Sequence, residues 1–258
     1  MDLHISLTPE TIFHIGRLTI TNSLLGSAMI TVVLGGIGII LGSTLEAIPD
    51  RFQSAIEMIY EFLLEMTEKV IGNAKIARNL FPYIITLFLF ILSSYWFGLI
   101  PGVGQLGIRE SSGAIIPLFR SPISDINTVA AMACISMLYV QVMHLRFHGL
   151  GGYLKSFFNF SSGTGFFTGI LELITEGNRL ISFTFRLFGN AFAGEVLIAV
   201  ILLLTTTLVP YIFFLPAPFL FLEFFIGIIQ AFIFTFLTIV LTALVVPPDP
   251  LKQLTPAL

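Results

Sequence analysis

Cysteine occurs once in this chain, at Cys134 inside an apolar run, so no disulfide framework can hold the fold together. Charge is nearly as scarce. Lys, Arg, Asp and Glu make up 10% of 258 residues, 12 basic against 15 acidic, for a net charge of −3. An average soluble domain carries roughly twice that charged fraction. A basic stripe is missing, which excludes a nucleic-acid binder. Blocks of like charge are missing too, so no interaction tail stands out. The four histidines, His4, His14, His144 and His148, lie away from the most apolar part of the chain. Neither HExxH nor GxSxG occurs, which argues against an intramembrane metal or serine enzyme. The N-terminus, MDLHISLTPETIFHIG, lacks the basic opening of a signal peptide, so the whole chain is read as mature. No cofactor or metal is implied.

What the chain has is apolar surface. Hydrophobic residues make up 56%, 27 of them Phe, and the mean hydropathy is +0.98. Neither a soluble enzyme nor a disordered chain has that balance. The composition points to an all-α integral membrane protein forming one membrane domain over 1–258, with no repeat inside it. A crossing helix needs roughly 20 mostly apolar residues. After an N-terminal segment, 1–17, such stretches fall at about 18–41, 79–100, 128–143, 165–208 and 219–246. Gly42, Ser43 and Pro49 end the first; Pro210, Pro216 and Pro218 mark the last turn; Pro247, Pro248 and Pro250 end the last span. HLRFHGLGGYLKSFF, with Gly149, Gly151 and Gly152, is expected to be a loop, with His144 and His148 at the membrane interface. Trp96, near a span end, reads as an interface anchor.

Residues 50–72 form a different helix. Glu57, Glu61 and Glu65 recur every four residues, while Ile56, Ile59, Leu63 and Met66 occupy another face. Its acidic stripe is either a solvated face or a contact with a partner subunit. Loop charges set an orientation. With the N-terminus outside, the inside loops hold Arg51, Lys69, Lys75, Arg78, Arg146, Lys155 and Lys252, against Arg17, Arg109 and Arg120 outside. Five crossings then put the C-terminus in the cytoplasm. Glu110 lies in the same outside stretch as Arg109.

From Ile181 to Val246 only three charges occur: Arg186, Glu195 and Glu223. One charge at mid-membrane costs roughly 2.5–3.5 kcal/mol on insertion scales. Such residues are either a structural salt bridge or part of a transport path. Arg186 and Glu195 stand nine residues apart, hence on opposite helix faces and about 13 Å apart along the axis, so they do not pair within one helix. Ser182 and Asn190, four residues either side of Arg186, share its face. Glu223 and Gln230, seven apart, share a face of the last helix. The natural partner of Arg186 is therefore a carboxylate from another chain. Gly189, Ala191, Ala193 and Gly194 would let a neighbouring helix approach closely.

ISFTFRLFGNAFAGEVL followed by GIIQAFIFTFLTIV closely resembles the signature region of the subunit a family of F-type ATP synthases. SPISDINTVAAMA, GLGGYLK, LELITEGNRL and IPDRFQSAIEMIYEF extend the resemblance over about Pro49 to Val246; the first 45 residues carry no such signal. The resemblance implies a tilted, membrane-embedded hairpin of the last two long helices. It also implies a stator role in the Fo sector, with two aqueous half-channels facing a ring of c subunits. Arg186 matches the family's essential arginine, which meets the ring carboxylate and separates the half-channels. Gln230 matches the glutamine near that arginine, and Asn190 the asparagine one turn from it. Glu195 matches an acidic or histidine position lining the outer half-channel, and Glu223 a position held by His or Glu. Glu172 and Ser182 match polar positions of the inner half-channel. Asp125 and Asn127 fall near the outer vestibule, where capping of the following helix is the competing role. Glu176 and Arg179 read as a local surface pair. Mitochondrial members tend to carry His at the position of Glu195, so the chain looks bacterial, of the inner membrane.

By the same resemblance the partners are the c-subunit ring, the b-subunit peripheral stalk, the catalytic head through the assembled complex, and the lipid bilayer. The chain itself is expected to be no enzyme. Two acids in a low dielectric do not ionise independently, so Glu195 and Glu223 are expected to share protons as a relay. The competing function is a self-contained secondary transporter using Arg186 to bind an anionic solute, although the inverted repeat of such proteins is not visible.

Overall fold

The computed structural model describes residues 8–16, 18–46, 49–100, 103, 107–109, 115–157, 163–207 and 214–247. Among them a short antiparallel hairpin comes first, β1 (Thr11–Ile15) and β2 (Leu18–Thr21), with Phe13 opposite Ile20 and Ile15 opposite Leu18. Helices α1 (Asn22–Thr44), α2 (Arg51–Ile71) and α3 (Ala74–Leu99) follow. A second hairpin, β3 (Gly107–Arg109) and β4 (Ile115–Pro117), precedes a 3-10 turn at Pro122–Ser124. Helices α4 (Ile126–Phe157), α5 (Gly163–Thr207) and α6 (Pro216–Val245) complete the order. All of these helices except α2 are long and apolar enough to cross a membrane, five in all among the described residues. The chain is an all-α integral membrane protein carrying two small hairpins.

Several boundaries differ from expectation. The first span starts at Asn22 rather than 18, because Leu18, Thr19, Ile20 and Thr21 alternate with the two-residue period of a strand and pair with β1. The expected loop after Met143 is helical through Phe157. Only Gly149 leaves helical geometry, at φ 67° and ψ 168°, and it kinks α4 in a backbone region open chiefly to glycine. Gly151 and Gly152 stay helical. The fifth helix is one helix of 45 residues, about 67 Å long at 1.5 Å per residue, more than twice the hydrocarbon thickness. Arg17, Glu110, Leu208, Pro210, Pro248, Pro250 and Lys252, which entered the expectations above, lie outside the described residues.

The amphipathic α2 has the termini its sequence encodes. The Asp50 side chain accepts the Gln53 backbone N–H at 2.7 Å, and Gly72 closes the helix in the left-handed conformation. Leu63 on its apolar face is 1% exposed, whereas Ile59 is exposed.

The fold divides into two compact units, each drawn from separated parts of the chain. One comprises the described residues of Met1–Ser43, Phe88–Val129 and Thr184–Phe232; the other those of Thr44–Leu87, Ala130–Phe183 and Ile233–Leu258. The second unit is cored by Ile71, Ala77, Leu80, Ile84, Ile239 and Val246. There the rings of Tyr83 and Tyr139 stack at 5.4 Å, and the Tyr83 hydroxyl meets that of Ser136 at 2.6 Å. The first unit holds most of the polar residues singled out above.

Candidate functional site

Arg186, Asn190, Glu195, Glu223, Gln230, Asp125 and Asn127 all fall in the first unit. Its part of α5 has an inward line of Thr184, Leu187, Ala191 and Gly194, all buried, at the four- and three-residue spacing of one helix face. Rotated about 100° from that line is an exposed line of Arg186, Asn190 and Ala193, with exposed Gly189 beside it. Glu195 is rotated about 100° the other way. Because α5 is unbroken, the arginine and the glutamate flank the inward face from opposite sides.

The small residues of this stretch divide accordingly. On the open side, a Cβ added at Gly189 would meet nothing within 4 Å. On the inward side, a Cβ at Gly194 would fall onto the carboxyl group of Glu223. The missing side chain at Gly194 is therefore what lets α6 lay its carboxylate against the backbone of α5. Glu223 is 6% exposed and Gln230 9%, on the inward face of α6 that also includes Gly227 and Ala231. Their seven-residue spacing puts them on one face, buried within the protein.

Tyr95 of α3 reaches into the same packing. Its hydroxyl donates to the Leu187 carbonyl at 3.2 Å, next to Arg186 in the chain, and its Cβ would be 2.8 Å from a Cβ at Gly227. The neighbouring Trp96 stacks on Phe224 with ring centroids 4.7 Å apart. Nothing in the sequence singled out Tyr95. A tyrosine amid a span whose hydroxyl needs a polar partner was the available signal.

The larger omission was Arg120. Its count among outside loop charges does not describe it: the residue is 9% exposed. Its Nη2 lies 3.4 Å from Glu195 Oε2, and its Nη1 donates to the Thr8 carbonyl at 3.2 Å. Charge balance held the clue. Glu195 lies on the face away from Arg186, and Arg120 was one of three cations assigned to the outer side.

Five residues on, Asp125 is 4% exposed and caps α4. Its Oδ1 accepts the Asn127 backbone N–H at 2.9 Å and the Asn127 side-chain amide at 3.2 Å, and its Oδ2 accepts the Ser23 hydroxyl at 2.6 Å. Asp125 and Asn127 are thus occupied with each other, with α1 and with the helix end.

Glu172 and Ser182 belong to the second unit. Ser182 is exposed. Arg179 lies 4.0 Å from Glu172 Oε1 and pairs closely with Glu176, whose other oxygen accepts from Gln141 Nε2 of α4 at 3.0 Å. The expected surface pair Glu176–Arg179 is present but half-buried, and α4 shares it.

Residues 24–242 match the family model described as ATP synthase A chain. ATP synthase subunit a of Moorella thermoacetica is 34% identical over 232 residues, 90% of this chain and 93% of the relative. That of Syntrophobacter fumaroxidans is 32% identical over 213 residues, covering 81% and 78%. A relative named ATP synthase subunit a, sodium ion specific, from Propionigenium modestum is 31% identical over 206 residues, covering 76% and 64%.

Proposed function

The chain belongs to the ATP synthase A chain family, and we propose that Arg186, Glu195 and Glu223 carry its part in ion translocation. It is the membrane-embedded channel stator subunit of the Fo sector, a component of a bacterial multi-subunit ATP synthase that couples ion flow to ATP synthesis. The secondary-transporter alternative is not favoured.

The observation that carries the residue assignment is the division of α5. Arg186 occupies an exposed line flanked by Gly189, Asn190 and Ala193, while Glu223 lies buried on Gly194 at the inward face. An exposed arginine beside small residues suits a partner helix that approaches closely and presents a carboxylate. That partner is the c-subunit ring. A guanidinium stays charged at any relevant pH and favours the deprotonated ring carboxylate as it passes. It also blocks a proton from crossing without ring movement. Glu223 and Glu195 form the proton relay of the outer half-channel, with Gln230 and Asn190 as polar neighbours. Asp125 and Asn127 fix the outer end of α4, and Glu172 and Ser182 line the inner side. The b-subunit peripheral stalk and, through the complex, the catalytic head complete the partners. The N-terminus is outside and the C-terminus cytoplasmic. One charge crossing 100 mV is worth roughly 2.3 kcal/mol, so several ions are needed per ATP.

The test is the assembled complex in proteoliposomes, assayed with and without sodium. Arg186→Ala is expected to abolish ATP-driven proton pumping while ring and stalk still co-purify. Full pumping by that variant would overturn the assignment, and pumping that depends on added sodium would replace the proton as coupling ion.

A further inference from the structure

Arg120 has no place in the ion path described so far, yet it is buried and contacted from several sides. Its backbone N–H donates to the Asn22 carbonyl at 3.4 Å. Its own carbonyl packs so tightly on Gly26 of α1 that a Cβ there would collide with it. Asn22 is fixed in turn, exchanging hydrogen bonds with the Glu10 backbone, N–H to carbonyl at 3.0 Å and amide N–H to Oδ1 at 3.2 Å. The next residue, Ser121, donates to the Ser94 carbonyl of α3 at 2.7 Å. The backbone N–H and carbonyl of the arginine are therefore held by Asn22 and Gly26, and the Ser121 hydroxyl ties the next residue to α3.

The side chain repeats the pattern. One guanidinium nitrogen is tied to Thr8 and another faces Glu195, while the buried Nε–H has no hydrogen-bond partner among the described residues. A buried guanidinium without a carboxylate is strongly destabilising, and Glu195 is its ion-pair partner among the described residues. Glu195 is the residue after Gly194, on which the carboxyl of Glu223 rests. Holding Glu195 therefore fixes one carboxylate at the step where Glu223 meets α5.

We propose that Arg120 is a positioning residue for ion transfer, which through its pairing with Glu195 sets that carboxylate beside Glu223, with Thr8, Asn22 and Gly26 as its mount. This rests on the relay assigned to Glu195 and Glu223 above. The arginine touches no transported ion. It acts through Glu195, and a misplaced transfer group loses rate without losing the fold.

The assembled complex in proteoliposomes tests this with Arg120→Gln, Arg120→Lys, Glu195→Gln and the double variant Arg120→Gln/Glu195→Gln. Arg120→Gln should lower ATP-driven proton pumping roughly tenfold to a hundredfold, as misplacement of a transfer group does, with ring and stalk retained. Arg120→Lys should recover part of the rate, and the double variant should pump no more slowly than Glu195→Gln alone, the non-additivity of residues that act together. Unchanged pumping by Arg120→Gln, or single-variant losses that multiply in the double, would overturn the proposal. If Arg120→Gln does not assemble, the neutral pair decides. Its assembly with the rate of Glu195→Gln supports the pairing, and its failure to assemble makes the arginine purely structural. Arg186→Ala run in parallel separates the two claims: if it pumps, the translocation reading itself fails, and if it is dead while Arg120→Gln is normal, only the role of Arg120 falls.

Discussion

Helix α2 and the α5–α6 packing of the first unit handle charge in opposite ways. On α2 charges are plentiful and matched locally: Glu65 pairs with Lys69 one turn away at 2.7 Å, with side chains 67% and 73% exposed. Glu68 meets Arg78, just past the turn into α3, at 2.8 Å. Around α5 and α6, and where α1 meets the start of α4, charges are few and are placed by residues far away in the chain. Arg120 reaches Glu195 across 75 positions, Ser23 reaches Asp125 across 102, and Glu223 rests on Gly194. In the first region solvent does most of the work and any single pair is expendable. In the second, each polar group depends on a particular backbone position, so small changes should be costly there and nearly silent on α2.

The most severe way to break that contrast is Gly194→Val. The added side chain needs the space held by the Glu223 carboxyl, and overpacking of this kind costs about 1–3 kcal/mol. Assembly should drop and pumping by the surviving complex should be nearly abolished. Adding Glu223→Ala should restore assembly and leave pumping at the reduced rate of Glu223→Ala alone, because it returns the space without the carboxylate. Normal pumping by Gly194→Val would show that Glu223 can leave its seat without consequence.

Next come the acids themselves. Glu223→Gln and Glu195→Gln are each expected to slow proton-driven ATP synthesis several-fold without abolishing assembly, since the amide keeps the shape and removes the exchangeable charge. Glu195→Gln, which leaves buried Arg120 without its carboxylate, should assemble less well than Glu223→Gln. Synthesis rates of the singles and the double under an imposed gradient check this, and unchanged rates in all three would sink the relay. Smaller still is Asp125→Ala, which removes the α4 cap and the partner of the Ser23 hydroxyl. The expected loss is about 1–2 kcal/mol of stability, seen as a lower thermal midpoint of the purified complex, with pumping per assembled complex little changed.

How much of this could be read from sequence follows the same division. Hydropathy located the five spans and the period of α2 because both are local properties of a segment. It misjudged Leu18–Thr21, where a two-residue alternation overrides apolar content, and the stretch after Met143, where one glycine kinks a helix that three glycines were expected to end. Within the site, Arg186, Glu195 and Glu223 stood out because charge is rare where they lie. Arg120 did not, since a cation in a polar stretch looks like any loop charge until the fold buries it. Tyr95 and Ser23 were hidden for the same reason, as their partners lie 92 and 102 residues away.

The weakest expected effect sharpens the contrast from the other side. Lys69→Ala removes an exposed pair on α2 whose partner lies one turn earlier, in the order Glu then Lys that suits the helix dipole. Such pairs contribute about 0.3–0.5 kcal/mol and are screened by salt. The thermal midpoint of the complex should therefore barely move, and the small shift should vanish at high ionic strength. A loss as large as that of Asp125→Ala, persisting in salt, would mean that Lys69 is not solvated in the assembled enzyme. The acidic stripe of α2 would then be a subunit contact, the alternative its four-residue spacing left open from the start.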